Sequence, residues 1–464
     1  MNAIEAARDP LPLPPAPVPP ERDLPVWRAL ATMMRNPIAS WSRRVYEERI
    51  SVRRVLGRTM ALVNDPALAR RVLGDNERDF VRPVASKRML RPATGNGVLL
   101  SEGADWRRQR RILAPAFTPR HIASLVPHFV AGAERLVARL DARGTDQVNL
   151  AAVVQEAALD VAARSMFSLS IDDRAEAIAA LLSRYQGRVG RFTLWDLLAR
   201  REHDFAIFLR GRAAFHREWF AEVDRLIALH RTMPQAGRPT DVLDLLEAAR
   251  DPESGETLRA GEIRDQVATL LGAGFETTAR ALFWTGYLLA LYPAYQDRIA
   301  AEVAERLGAR PPDAAALETL TLLRATLFEA MRLYPPAAII SRQAVGPIEL
   351  DGHHIPAGSF VSVAPWALHR HRSYWEAPGE FRPERFVGRE REITQSGWYM
   401  PFGSGPRVCL GAAFATSEAL VLLARLVGRY RIILTDPRPV EPVVMITTQP
   451  SVEPWFRLER RGVA

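Results

Sequence analysis

The chain has 464 residues and a single cysteine. That cysteine, Cys409, lies in the stretch Phe402-Gly403-Ser404-Gly405-Pro406-Arg407-Val408-Cys409-Leu410-Gly411. One thiol rules out an internal disulfide and any metal cluster assembled from several thiolates, so packing must hold the fold together. An apolar helical pattern, Ala412 to Leu426, starts directly after the loop. Unsatisfied N–H groups and the positive dipole end of such a helix favour a thiolate at its N-terminus. Gly403, Gly405 and Gly411 let the backbone wind closely around the sulfur and leave room for a flat partner. A lone cysteine is ordinarily a small inert core residue. A soft, sheltered, anionic sulfur also suits iron, and one such ligand fits the axial position of a haem.

Phe402, Gly405, Arg407, Cys409 and Gly411 decide between these readings. Their spacing, F-x-x-G-x-R-x-C-x-G, resembles the haem-binding loop of the cytochrome P-450 superfamily, and further stretches carry the same resemblance. Ala273-Gly274-Phe275-Glu276-Thr277 interrupts an apolar helical run from about Ala260 to Tyr292. A mid-helix glycine costs about 1 kcal/mol relative to alanine. Thr277 lies one turn after Ala273, so its hydroxyl can bond back to that carbonyl. By resemblance this is the oxygen-activating motif, with Thr277 steadying activated oxygen and a water while Glu276 relays protons. Trp106 and Arg110 share a helix face, and the resemblance makes them donors to haem propionates. Arg342 and Arg407 would supply further donors. Glu329 and Arg332, at i,i+3, resemble the family's E-x-x-R pair. Phe381-Arg382-Pro383-Glu384-Arg385-Phe386 supplies the F-x-P-E-R-F arginine, Arg385. These three residues would form a buried lock beneath the cysteine loop that retains fold and haem.

Length alone suggests two or three domains. The motifs instead follow the family's order over about residues 58 to 460. The resemblance therefore implies a proline-rich lead-in, 1–27, and one haem-thiolate domain, 28–464. That domain is mainly helical with a minor β-rich lobe, its haem held between the long oxygen-activating helix and the cysteine-loop helix. From Val26 to Leu73 the pattern predicts helix, β-rich piece and helix, with a strand at Arg58–Val63 and Asn64-Asp65 capping Pro66–Leu73. Pro83, Pro92, Gly95, Gly97 and Gly103 predict a long loop over Phe80–Gly103 with at most a short helix. Residues 119 to 232 read as helical, as does Leu317 to Leu333. Ala338 to Val363 reads as short strands around an Asp351-Gly352 turn, and Tyr430–Leu434 and Val443–Thr447 as final strands. His353, His354, His369 and His371 match no closed metal site and are placed at the surface or in the meander.

The net charge is +9, and Lys87 is the one lysine among 62 basic residues. No Lys/Arg block resembles a nucleic-acid arm, so a basic balance points to an acidic protein partner. No 18-residue apolar run or basic-then-apolar leader is present, which predicts a cytoplasmic protein without a membrane anchor. The chain shows no flavin or nicotinamide fingerprint and no cysteine cluster. Electrons from NAD(P)H are therefore expected through a separate ferredoxin or flavodoxin with its reductase. The expected cofactor is haem b, with O2 as co-substrate. Residues 84–100, 185–215, Phe275, Ala281, Ala337 to Ile340 and Ile446 are expected to shape an apolar pocket. The family's substrate lid falls near 185–215, among Tyr185, Phe192, Trp195, Phe205, Phe208 and Phe215. The implied activity is hydroxylation or epoxidation of an apolar compound, possible substrates being a lipid, fatty acid or terpenoid. Three rivals are a peroxide-driven haem-thiolate peroxygenase, a non-catalytic haem-binding protein and a cysteine hydrolase.

Overall fold

The computed structural model describes residues 12–74, 78–170, 174–234, 240–308 and 310–462. Residues 1–11 of the expected lead-in lie outside the described residues; from Pro12 on it lies against the body, where Tyr334 donates to the Pro15 carbonyl (2.9 Å) and Tyr292 to that of Pro12. Helix α1 (Val26–Arg35) is followed by the hairpin β1 (Ile50–Val55) and β2 (Arg58–Val63). Helix α2 (Pro66–Leu73) begins at Asp65, whose carboxylate accepts from the Ala67 and Leu68 N–H groups, so the predicted strand and cap are both present.

The next segment differs from expectation. After the short β3 (Phe80–Val81), residues Val84–Thr94 form an eleven-residue helix, α3, where a loop was predicted. Pro83 sits at its N-cap, and Pro92 lies in its last turn. These prolines therefore bracket the helix more than they break it. The helix stops at Gly95, which has φ +57°; a Cβ there would overlap the Asp265 carboxylate, which also accepts from the Asn96 N–H (2.9 Å).

Helices α4 (Gly103–Leu113) and α5 (Pro119–Arg143) lead through β4 (Val148–Asn149) to α6 (Leu150–Phe167). Then come α7 (Ala175–Arg184), α8 (Leu194–Leu198), α9 (Arg210–Thr232) and α10 (Val242–Ala248). The 32-residue α11 (Ala260–Leu291) crosses the molecule, packed on α6. After α12 (Pro293–Leu307), the helix expected over Leu317–Leu333 is divided at Leu320 into α13 (Ala314–Thr319) and α14 (Thr321–Leu333).

The β-rich lobe follows. Strands β5 (Ile340–Ala344), β6 (Ile348–Leu350), β7 (His353–Ile355) and β8 (Phe360–Val363) include the predicted turn, with Asp351 and Gly352 both at positive φ. Strands β1-β2-β8-β5-β3 form one sheet, in which β2 and β8 are parallel and the other pairs antiparallel. Past α15 (Pro365–Leu368) and α16 (Glu390–Gln395), the cysteine loop opens into α17 (Ala412–Arg429) and β9 (Tyr430–Leu434). The expected strand Val443–Thr447 is a hairpin instead, β10 (Pro442–Val444) and β11 (Thr448–Pro450), with Thr447 at its turn. Strand β12 (Trp455–Arg460) pairs with both β4 and β9. One large apolar core links α5, α6, α11, α14 and α17. The fold is thus mainly helical with a small β-rich lobe, and its longest helix passes opposite the cysteine helix. No helix of the described residues is long and apolar enough to cross a membrane.

Candidate active site

Between α11 and α17 lies a cavity of about 460 Å³. Its floor is the cysteine loop, which is closed by its own backbone: Gly403 donates to Met400, Val408 to Gly405 and Cys409 to Phe402, each at 3.0 Å. Gly405 has φ +73°, and a Cβ there would come within 2.5 Å of the Leu73 carbonyl, so only glycine fits against α2. Phe402, Gly403, Cys409 and Gly411 all border the cavity. The Cys409 residue is exposed, and it borders the cavity. Desolvation by the protein around it pushes its thiol up, with the Gly411 N–H and Arg110 pulling the other way. Desolvation thus opposes the helix-end effect that favours a thiolate. A cation placed in the cavity would reverse the balance.

At one edge of the cavity, arginines outnumber their counter-charges. Arg407 donates to the Ser101 carbonyl and to Glu102 (both 2.9 Å) and lies 4.2 Å over the Trp106 ring. Arg110 donates to the Val408 carbonyl (2.7 Å), and Arg342 is buried on β5. Arg82 joins this group, although no motif in the sequence marks it. Register explains its place: β3 pairs Phe80 with Ala344 and Val81 with Gln343, so Arg82 comes next to Arg342. The Arg82 Nε is buried without a hydrogen-bond partner. Burial, with Arg342 and Arg407 adding repulsion, pushes Arg82 down to about 9. Burial and Arg407 push Arg342 down to about 10, and Glu102 is the carboxylate opposing both. Three guanidiniums around one carboxylate, together with an indole, form a donor set for a dianion. Haem, which carries two carboxylates, fits this donor set, and Cys409 would hold its iron.

On the facing wall, Ala273, Gly274, Glu276 and Thr277 border the same cavity. Thr277 donates to the Ala273 carbonyl at 2.8 Å, as its spacing predicted. Glu276 is buried, and its Oε1 accepts from Thr447 (2.6 Å) and Gln449 (3.2 Å) at the C-terminal hairpin. Burial raises this carboxyl, with Arg280, Thr447 and Gln449 opposing. The hairpin contact was not legible in the sequence, since it joins residues more than 170 positions apart.

Below the loop, Glu329 and Arg332 are fully buried and bonded twice, at 2.7 and 2.8 Å. Arg332 also donates to the carbonyls of His369, Pro378 and Glu380. Arg385 lies 3.4 Å from Glu329. His353 and His354 are exposed, whereas His369 and His371 are buried in the meander. His369 is more than a meander residue. Its Nε2 accepts from the Met400 N–H (2.8 Å), so its Nδ1–H donates to the Arg332 carbonyl (3.2 Å). It thereby ties the lock to the start of the cysteine loop.

Burial, Arg332 and Arg370 push His369 down to about 3. Its stabilisation is therefore present above the ordinary histidine range and is lost as pH falls through that range, because the unfolded chain protonates first. Thermal unfolding from pH 7.5 to 4.5 will show a falling midpoint, and His369→Asn will flatten that fall. An unchanged slope in the variant would remove His369 as its source.

Leu90, Val98, Leu99, Phe275, Ala281 and Ile446 give the remaining walls their apolar character, as expected, and Ala337, Ile339 and Ile340 join them. The aromatic segment behaves differently. Tyr185 borders the cavity, its hydroxyl donating to the Met89 carbonyl (2.9 Å). Phe215, Trp219 and Phe220 are core, Phe192 packs against a separate apolar cluster, and Trp195 stacks on the exposed Phe208 at 4.3 Å. The segment is held instead by a charge cluster that sequence reading missed. The buried Asp196 accepts from Arg88 (2.9 Å) and from Arg212 (2.6 and 2.8 Å). Apart from the cavity, His230 lies against Asp241 (3.0 Å) and Asp244 (3.4 Å), where Asp241 caps α10.

The profile described as Cytochrome P-450 matches residues 19–453. Cyclooctatin synthase of Streptomyces melanosporofaciens is 34% identical over 397 residues, covering 83% of this chain and 82% of that protein. Cyclooctat-9-en-7-ol 5-monooxygenase of the same organism is 30% identical, covering 74% of each chain. The crystal structure of a cytochrome P-450, CYP102L1, superposes with a TM-score of 0.81 at 25% identity, covering 97% of this chain and 100% of that one.

Proposed function

The chain belongs to the cytochrome P-450 family, and on that premise we propose a monooxygenase that inserts one oxygen atom of O2 into a neutral, apolar substrate with electrons from separate proteins. One observation carries this reading: the lone cysteine faces the Glu276–Thr277 pair across a cavity with an anion-seeking edge. Haem, when bound, supplies the chemistry that activates O2. Cys409 would hold its iron as a thiolate, and Arg82, Trp106, Arg110, Arg342 and Arg407 would hold its carboxylates. Phe402, Gly403, Gly411, Ala273 and Gly274, which line the cavity, would pack around it.

The chain's own residues define what happens around that group. Thr277, anchored by its bond to Ala273, places a hydroxyl on the cavity wall that can hold a water. Glu276 has a raised proton affinity and is tethered to Thr447 and Gln449, so it can carry a proton between the hairpin and this wall. The apolar walls keep bulk water out of the cavity.

The substrate reading rests on where the charges and hydroxyls lie. Among the described residues, the arginines bordering the cavity are Arg82, Arg110, Arg342 and Arg407, all grouped with the loop. The hydroxyls of Thr94, Tyr185 and Thr269 are turned to backbone carbonyls. Hydroxyls such as those of Ser86 and Thr278 also border the cavity, but a carboxylate in its apolar part would find no cation there, which favours a neutral terpenoid over a fatty acid. The two Streptomyces relatives named for cyclooctatin chemistry agree with that choice.

The reduced protein with carbon monoxide will show a strongly red-shifted Soret band; a band at the ordinary histidine-type position would refute the thiolate reading. Thr277→Ala will keep NAD(P)H consumption while product per NAD(P)H falls on the order of tenfold and peroxide rises. Unchanged coupling would exclude the role given to Thr277. Peroxide supporting turnover as well as O2 and NAD(P)H do would favour the peroxygenase instead.

A further inference from the structure

Glu418 lies on α17, two and a half turns beyond Cys409, and is 2% exposed. It borders the cavity, as does Thr278 of α11, the residue after Thr277. The Glu418 Oε1 and the Thr278 hydroxyl are both buried without a hydrogen-bond partner. Two orphaned polar atoms at the edge of a cavity make a site for an ordered water.

The surrounding charges leave Glu418 without a counter-ion. On the elements packed against α17, Glu134 of α5 pairs with Arg425, and Asp160 of α6 with Arg164. Glu276 of α11 is held by Thr447, with Arg280 acting on it, and Glu302 of α12 caps α14. Glu318 of α13 pairs with Arg324, Glu329 with Arg332, and Arg431 of β9 with Asp297. None of these acts on Glu418; burial pushes its carboxyl up to about 8, and the neighbouring Thr278 hydroxyl, near enough to act on it but not in a well-formed hydrogen bond, is the one group opposing. A carboxylate buried without a cation takes a proton rather than hold its charge.

We propose that Glu418 stands protonated at neutral pH and, with Thr278 and one ordered water, forms a second proton-holding station on the cysteine-helix side of the cavity, separate from Glu276. The proposal rests on the family reading, because its coupling is to an electron delivered into that cavity. Added negative charge raises the proton affinity of Glu418. Above the pH at which it ionises, one electron from the redox partner is then matched by one proton from solvent, which converts carboxylate to carboxylic acid.

Spectroelectrochemistry of the holoenzyme from pH 6 to 10 tests the coupling. The wild-type midpoint potential will be flat at low pH and will fall at high pH. The limiting slope is a tenfold change in the reduction equilibrium per pH unit, about 59 mV for one electron. Glu418→Gln, which keeps the shape and cannot ionise, will remove that slope, whereas Glu276→Gln will leave the Glu418 step in place. Infrared difference spectra of wild type minus Glu418→Gln will show a protonated-carboxyl band at pH 7, shifted in Thr278→Val. A flat wild-type potential, a slope that survives in Glu418→Gln, or an absent carboxyl band overturns the proposal. Failure of the family reading is visible separately, as a missing red-shifted carbon monoxide band, and the infrared band then still decides the protonation of Glu418.

Discussion

Cys409→Ser will yield a folded protein without the red-shifted carbon monoxide band and with monooxygenase turnover down by at least on the order of 100-fold. The loop itself should survive, because its turns are made by backbone bonds from Gly403, Val408 and Cys409 N–H groups that serine retains. What changes is the donor atom. A serine hydroxyl is harder than a thiol and far less acidic, and the Gly411 N–H and Arg110 that oppose burial at the thiol cannot ionise it. Spectroscopy and turnover should therefore fail together while the thermal midpoint stays close to that of wild type. Retention of the thiolate-type band in Cys409→Ser would mean that this sulfur is not the ligand. A collapse of the thermal midpoint would instead assign Cys409 a packing role.

The same contrast between backbone and side chain explains what was legible in the sequence. Strand Arg58–Val63, the Asp65 cap, the Asp351-Gly352 turn and the long helix with its Thr277 back-bond all depend on neighbours within a few residues. The motif residues Cys409, Arg407, Glu329 and Arg332 were legible because they resemble a family, and local physics would not have separated them from ordinary helix and loop residues. Arg82 was invisible because its role comes from the β3–β5 register, which brings it beside a residue 260 positions away. Helix α3 was hidden by prolines and glycines that read as loop punctuation. The sequence could not show that Pro83 and Gly95 are its two ends, nor that Asp265 meets the Gly95 end.

Asp196→Ala should have the largest effect on stability outside the cysteine loop. Asp196 is fully buried, and Arg88 and Arg212, each less than one-tenth exposed, converge on its two oxygens from α3 and α9. Both arginines also donate to backbone carbonyls of the 189–204 segment: Arg212 to Val189 and Arg191, Arg88 to Glu202 and Asp204. Burial alone would push the Asp196 carboxyl up, but Arg212, Arg88 and Thr193 together hold it below its ordinary value. Its contribution is thus present above the ordinary aspartate range and is lost as pH falls through it. Removing the carboxylate strands two buried cations and should cost about 3–5 kcal/mol, seen as a thermal midpoint lower by roughly 5 °C or more. Because the carbonyl bonds span this segment, hydrogen exchange of residues 185–209 should quicken by more than the global loss explains. The triple replacement Asp196→Leu, Arg88→Met, Arg212→Met removes all three charges and should recover most of the midpoint, since well-packed apolar side chains replace buried ion clusters at little cost. It should not restore slow exchange, because the donors to the four carbonyls are gone. A midpoint within about 1 °C of wild type in Asp196→Ala would show that the cluster contributes nothing net. Unchanged exchange over 185–209 would show that it does not clamp the segment.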